Sequence, residues 1–284
     1  MELLVHGGAG SAPDEPEPRQ ATLEGAHERG LAADGGPVAA VRAAVRVLEA
    51  DERFNAGVGG ARQDDGVVRT DAGLMTADGT CGAACSMPGV CHAVDVAHTI
   101  ATRTPHVLVA GERAVDVARA VDVETGLDLT TADTRARFDE ADPPGAGAAI
   151  DDRLAWIGEN FGGTDTVGAV ATDGDSLCAA TSTAGRWFAL AGRVGDVPQV
   201  GAGFYAGDGA AASATGEGEA IARFGLARRL VDAVVAGESP QHAADRVLCG
   251  FETATGGRAG VIVVDRDGRG GRASNAERMQ TAGI

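Results

Sequence analysis

Two short, largely apolar runs, Thr166–Thr172 and Leu177–Ser182, flank the polar cluster Asp173-Gly174-Asp175. Runs of this length on either side of a Gly/Asp turn predict a β-hairpin, with Thr166 opening its first strand. Glu2–Val5 and Ala259–Val264 are also of strand length and apolar, the second stopping at the turn Asp265-Arg266-Asp267-Gly268. Val67–Thr70 and Asp71–Met75 predict strands as well. Elsewhere the spacing is helical. From Pro37, a favoured first-turn residue, Val38, Val41, Val45 and Leu48 fall on one face. Val94–Thr102, Glu112–Ala120 and Gln241–Leu248 predict further helices, and Ala220–Ala236 predicts a long one ending at Gly237. Two stretches break the pattern. Ser11–Arg19, rich in Pro and acid, predicts an exposed loop. Residues 121–165 are acidic, with little periodicity and Asp142-Pro143-Pro144-Gly145-Ala146-Gly147 in the middle, and predict a solvent-exposed linker that is partly disordered.

The 284 residues suffice for one large domain or two small ones, and one is expected. The formal charge of −17, with every basic residue an Arg and no Lys, argues against nucleic acid or an anionic membrane as a partner. The acid is spread along the chain, which suits a solvated surface kept soluble at high salt better than attraction of cationic substrates. The fold of such a halophile-like protein is expected to melt at a higher temperature in molar salt, where the Debye length is ~3 Å, than in dilute buffer. A melting temperature indifferent to salt would remove that reading. The absence of an apolar run of membrane-span length, and an N-terminus that enters a strand directly, lead us to expect a cytoplasmic protein. Cys81, Cys85, Cys91, Cys178 and Cys249 read as reduced interior thiols, and their spacing with His92 fits no usual zinc pair. Asp265–Gly270 lacks the distal Glu of a calcium loop, and Gly201–Ala206 precedes no helix as a dinucleotide fingerprint would.

Thr166 carries the candidate chemistry. It follows a flexible Gly162-Gly163 and the acidic Asp165. A threonine hydroxyl needs a base, and at a chain terminus the free α-amine, titrating near pH 8, supplies one. Cutting Asp165–Thr166 would create such a terminus.

The hairpin segment resembles that of the plant-type asparaginase and isoaspartyl aminopeptidase family of N-terminal-nucleophile (Ntn) hydrolases, which are made as one chain and cut themselves before a Thr. The resemblance rests on DTVGAVA at Asp165–Ala171, AATSTAG at Ala179–Gly185, GRVGD at Gly192–Asp196, VGAGFYA at Val200–Ala206, ATGEGE at Ala214–Glu219, VHGGAG at Val5–Gly10 and FNAGVGG at Phe54–Gly60. Asp71–Met75 and Pro105–Gly111 match further family segments, the latter adding a strand, although two residues are inserted after Met75. The resemblance implies an α/β (α+β) chain folded as a four-layer αββα sandwich. It implies a single domain, 1–284, made as a precursor: an α subunit 1–165, with a flexible tail from about 121, and a β subunit 166–284. These would stay together, as a dimer of αβ heterodimers.

By the same resemblance Thr166 is the nucleophile and Thr183 lies beside it, while the Thr215 hydroxyl and the Gly216 N–H stabilise the oxyanion. Arg193 grips the substrate carboxylate and Asp196 its amine, two charges that could otherwise simply pair with each other, and Gly216 and Gly218 leave room for the substrate. Asn55 supports the site. The loop Phe54, Asn55, Ala56, Gly57, Val58, Gly59 coordinates a sodium ion through its carbonyls, and no other cofactor is expected. His6 reads as a structural residue of its turn rather than a general base. Ala184, where the family commonly has Gly, and Glu217 inside T-G-x-G are departures, and Glu217 could narrow or acidify the pocket. The expected activity is hydrolysis of L-asparagine or β-aspartyl (isoaspartyl) dipeptides through a threonine acyl-enzyme. The alternatives are a glycosylasparaginase-like or protease-like relative with the same nucleophile, or an uncut, non-catalytic binding protein.

Overall fold

The computed structural model describes residues 1–145, 147–163 and 165–283; Ala146 of the linker and Thr164 before the hairpin lie outside them. In chain order the elements are β1 (Glu2–Gly10), α1 (Pro16–Leu31), α2 (Gly36–Glu49), β2 (Arg69–Thr76), β3 (Cys81–Pro88), α3 (Ala93–Arg103), β4 (Leu108–Ala110), α4 (Glu112–Ala120), α5 (Ala132–Ala141) and α6 (Ile150–Asn160). Then come β5 (Val167–Thr172), β6 (Leu177–Thr183), β7 (Phe204–Ala206), β8 (Ala210–Gly216), α7 (Gly218–Phe224), α8 (Leu226–Val235), α9 (Pro240–Thr255), β9 (Ala259–Asp265), β10 (Gly270–Ser274) and β11 (Arg278–Ala282).

A seven-stranded sheet of order β11-β1-β5-β6-β2-β3-β4 faces a four-stranded sheet of order β10-β9-β8-β7. Helices α1, α2 and α3 cover the outer face of the first sheet, α8 and α9 that of the second, and β1, β5 and β6 pack directly on β8 and β9. This is the four-layer αββα arrangement. Alternation along the strands explains it. Leu3 and Val5 of β1, with Ala169 and Ala171 of β5, join the core beneath α2, whereas Leu4 and Val170 point the other way and meet Phe204, Ile262 and Val264 between the sheets. Strands buried on both faces read as unbroken apolar runs, which is how the hairpin announced itself. β5 and β6 pair from Val167↔Ser182 to Thr172↔Leu177, and β5 pairs with β1 up to His6↔Gly168. Thr166 therefore leads into an interior strand of the larger sheet.

Five regions differ from the sequence expectations. The turn expected from His6 is strand, because β1 runs on to Gly10 with a register shift between His6 and Ala9 in its pairing with β11. The Ser11–Arg19 loop ends at Glu15, and Arg19 is a buried residue of α1, whose inner stripe of Arg19, Leu23, Ala26 and Gly30 is too poor in large apolar residues to signal a helix. The long helix over Ala220–Ala236 is two helices, because Gly225 adopts φ 69°, a left-handed value that ends α7 and starts α8. Val67–Thr70 and Asp71–Met75 merge into one strand, β2, bulged between Thr70 and Ala72 in its pairing with β3. The described residues of the linker 121–165 are mostly exposed, Leu129 and Thr134 being buried, yet they carry α5 and α6. α5 is capped by Thr131, whose hydroxyl accepts from the Thr134 N–H. α6 buries no residue but is pinned by Arg153, which donates to the buried Asp64 at 2.7 Å, and by Trp156 packed edge-on against Phe188. Cys81, Cys85, Cys91 and Cys178 lie inside or partly inside with raised thiol pKa values due to burial, while Cys249 is exposed. Among the described residues no cluster of His, Cys, Asp or Glu could hold a metal ion, and no helix is long and apolar enough to cross a membrane.

Candidate active site

Thr166 is almost fully buried at the head of β5, and the carbonyl oxygen of the preceding Asp165 is held from two sides. Asn55 Nδ2 donates to it at 3.0 Å and the Thr183 hydroxyl at 3.1 Å. Both donors are fixed. Asn55 Oδ1 accepts from the Ala61 N–H at 2.8 Å and its Nδ2 also reaches the Gly185 carbonyl at 2.6 Å; Thr183 Oγ1 accepts from the Gly185 N–H at 3.0 Å. The glycine-rich loop after α2 and the end of β6 thus converge on one peptide bond. Ala184 fits because Gly60 faces it, where a Cβ would collide with the Ala184 methyl.

Beside this peptide a cavity of about 740 Å³ is lined by Arg19, Phe54, Asn55, Asp165, Gly185 and Trp187. Arg19 lies over the Phe54 ring at 4.7 Å, donates to the Gly7 carbonyl and stands 3.9 Å from Asp165 Oδ1. Burial pushes the Asp165 carboxyl up and Arg19 pulls it back. With 41% of that side chain exposed, water softens the upward push.

Arg193 and Asp196 converge on Gly218. A Cβ there would lie 2.6 Å from Asp196 Oδ1 and 2.9 Å from Arg193 Nη2, so the glycine makes room for these two side chains. They do not pair with each other. Arg193 Nε donates to Glu219 Oε1 at 2.8 Å, its Nη2 lies 2.7 Å from the same oxygen, and Arg186 holds the other carboxylate oxygen at 3.1 Å. Asp196 is buried and its Oδ2 has no hydrogen-bond partner among the described residues. Burial raises its pKa to about 6, against the pull of Arg193. Asp71, opposite Thr183 in register and bonded to the Ser86 N–H at 2.6 Å, is raised by burial to about 7 in the same neighbourhood. Phe161 covers the assembly, its ring 4.0 Å from the Arg186 guanidinium and 5.8 Å from that of Arg193.

Thr215 lies in β8 with its hydroxyl accepting from the Ala9 N–H at 3.2 Å, and Glu217 is the N-cap of α7. Gly216 has φ 137° and would drive a Cβ into the Arg258 carbonyl, so no other residue fits the turn out of β8. The Glu217 carboxylate is engaged by the Arg258 N–H at 3.1 Å. In the loop after α2 the carbonyls of Phe54, Asn55 and Gly57 already accept from the N–H groups of Ala56, Ala184 and Gly60. A carbonyl has a second lone pair, so this bonding leaves the loop compatible with a weakly held monovalent cation.

Glu219, Asp71 and Arg19 were not among the expected site residues. Glu219 sits inside the quoted ATGEGE motif and Asp71 inside the matching segment Asp71–Met75, so motif membership was the available signal for both; for Arg19 there was none.

An αββα sandwich with a threonine at the head of an interior strand of its larger sheet, and a preceding carbonyl gripped by two donors, defines an Ntn-hydrolase architecture. The whole chain, residues 1–284, matches the model of the family described as asparaginase. It is 36% identical over 299 residues to the plant-type L-asparaginase of Pyrococcus abyssi, covering 99% of this chain and 95% of that one. The plant-type L-asparaginase of Pyrobaculum calidifontis is 42% identical over 240 residues (81% and 78%), and the isoaspartyl peptidase/L-asparaginase of Danio rerio 34% over 277 residues (94% and 86%). The chain belongs to the asparaginase family.

Proposed function

We propose that this chain is an amidohydrolase that cuts itself before Thr166 and then releases L-aspartate from L-asparagine or β-aspartyl dipeptides. The observation that carries the reading is the Asp165 carbonyl oxygen, which accepts from Asn55 Nδ2 and the Thr183 hydroxyl. Two donors already aimed at an oxygen that becomes negative in a tetrahedral intermediate are what an acyl transfer at that carbon needs. In self-cleavage, Thr166 Oγ adds to the Asp165 carbonyl carbon, the Thr166 nitrogen leaves as an amine, and water hydrolyses the resulting ester to an Asp165 carboxylate and a free Thr166 hydroxyl. The fragments should stay associated, because β1 and β2 of the first pair with β5, β11 and β6 of the second.

In turnover the same hydroxyl attacks a substrate amide while the Thr166 amine takes its proton and passes it to the departing amine. Thr215 Oγ1 and the Gly216 N–H are the proposed oxyanion donors, with Arg193 and Asp196 taking the substrate's α-carboxylate and α-ammonium. Asp196 suits an ammonium because its buried Oδ2 is unpartnered. A sodium ion on the carbonyls of the Phe54–Gly59 loop would stiffen the neighbourhood of Asn55. Incubating purified protein with L-asparagine and with a β-aspartyl dipeptide, and following aspartate, tests the reading. Aspartate from either substrate supports it, and none from both, in protein already cut before Thr166, removes it.

A pH dependence follows. Asp196 binds an ammonium only when ionised, and its raised value of about 6 keeps it protonated to a higher pH than an ordinary carboxyl. kcat/KM is therefore expected to fall as pH drops through about 6, as the free enzyme's essential groups dictate. The Thr166 amine, a base only when neutral, adds its own acidic limb near pH 8; in Asp196→Asn the further step near 6 should vanish along with most of the activity, and its persistence would place that titration elsewhere.

A further inference from the structure

His6 is fully buried at the junction of three strands, and the chemistry above does not use it. In register it lies opposite Gly168 of β5, two residues beyond Thr166. Its Nε2 is 2.7 Å from the Ser213 hydroxyl of β8. Three residues further along β1, the Ala9 N–H bonds the Thr215 hydroxyl, and Ser213 and Thr215 share one face of β8. β1 thus reaches the strand of the proposed oxyanion donor at two points while pairing with the strand of the proposed nucleophile. Gly168 has no freedom to change, since a Cβ there would run into both Ser213 Oγ and His6 Nε2. The other edge of the ring is unspent. Among the described residues Nδ1 has no hydrogen-bond partner, and the Thr166 backbone lies within reach of the ring.

Burial lowers the His6 pKa to about 3, so the ring is neutral at working pH and has a single N–H to place. A serine hydroxyl can donate or accept, whereas a main-chain carbonyl only accepts. We propose that His6 is a positioning residue for the nucleophile: it carries its proton on Nδ1 toward the Thr166 main-chain carbonyl while Nε2 accepts from Ser213, and so fixes Thr166 relative to Thr215. This rests on the reading of Thr166 as the nucleophile. Errors of an ångström in such placement cost rate rather than affinity, so the effect belongs in kcat.

The test pairs ¹⁵N NMR of histidine-labelled, cleaved protein with two substitutions that each keep one edge of the ring. Asn at position 6 places an amide where Nδ1 lies, and Gln places one where Nε2 lies. The wild-type spectrum should show a neutral ring protonated at Nδ1, absent from the spectrum of His6→Asn; a neutral ring protonated at Nε2 overturns the proposal. His6→Asn keeps the donor toward Thr166 and loses the link to Ser213, so its kcat is expected to fall by about threefold to tenfold, and His6→Gln, which loses the donor toward Thr166, by roughly thirtyfold or more, with KM nearly unchanged in both. Equal losses in both variants would mean that the ring only fills space, and undiminished kcat in His6→Gln would mean that Nδ1 does nothing. If His6→Gln does not fold, Ser213→Ala decides: it keeps the ring but frees its Nε2, so kcat should fall at constant KM, and an unchanged kcat counts against the proposal. Failure of the nucleophile reading itself would show separately, as activity in Thr166→Ala.

Discussion

Thr166→Ala is expected to leave the chain whole and inactive, with aspartate release down by about five to six orders of magnitude, the scale seen when a catalytic nucleophile is removed. The residue is almost fully buried, and alanine removes only the hydroxyl and a methyl, so the fold should survive with a cost on the order of 1 kcal/mol. Thr166→Ser should retain part of both cleavage and turnover, because the hydroxyl is what reacts. Denaturing electrophoresis and an aspartate assay on the two variants check this. Wild-type aspartate release by an uncut Thr166→Ala chain would exclude the mechanism, whereas the same variant silent and intact fits it. The two donors on the Asp165 carbonyl make a companion case: Asn55→Ala and Thr183→Ala should slow cleavage, each oxyanion-type donor being worth about 10²–10³ in rate.

Arg193→Lys and Asp196→Asn are expected to cut themselves at near-normal rates and then to lose kcat/KM on asparagine and β-aspartyl dipeptides by roughly 10²–10³-fold. Leaving a substrate charge unpaired in a desolvated pocket costs several kcal/mol, against about 0–1 kcal/mol for an exposed ion pair. The structure sharpens the argument for Arg193. Its Nε is already hydrogen-bonded to Glu219, while its buried Nη2, close to the same oxygen, has no aligned hydrogen-bond partner among the described residues, so an arriving carboxylate meets a guanidinium held in place with a donor to spare. Lysine would keep the charge and lose that anchoring together with the planar donor edge. Self-cleavage should be spared because neither side chain hydrogen-bonds the Asp165 carbonyl, which Asn55 and Thr183 occupy. Full kcat/KM in cleaved Arg193→Lys protein would leave Arg193 as a partner of Glu219 and nothing more.

What was legible beforehand follows the strength of the local signal. β5, β6 and β9 are buried on both faces, so their apolar runs stand out, and α2 shows because Val41, Val45 and Leu48 all point inward. α1 was invisible because the residue it buries deepest among polar ones is Arg19, satisfied by the Gly7 carbonyl and the Phe54 ring, a tertiary arrangement that spacing cannot encode. α5 and α6 were hidden for the opposite reason: they bury almost nothing and are pinned by single contacts such as Arg153 to Asp64. β11 was missed because it is short and partly exposed; it earns its place as an edge only by pairing with β1 from the far end of the chain. In the site, Thr166, Thr183, Arg193 and Asp196 were readable from motifs, but Glu219 as the partner of Arg193 was not, since two residues 26 apart meet only once α7 has packed. The Glu217 carboxylate accepts from the Arg258 N–H, which fixes where its charge sits.

The most direct measurement is N-terminal sequencing with intact-mass analysis of purified, aged protein alongside its aspartate release. Two fragments are expected, one of them beginning Thr166-Val167-Gly168-Ala169, with activity rising in step with the cut. A single uncut chain that hydrolyses L-asparagine at full rate would contradict this.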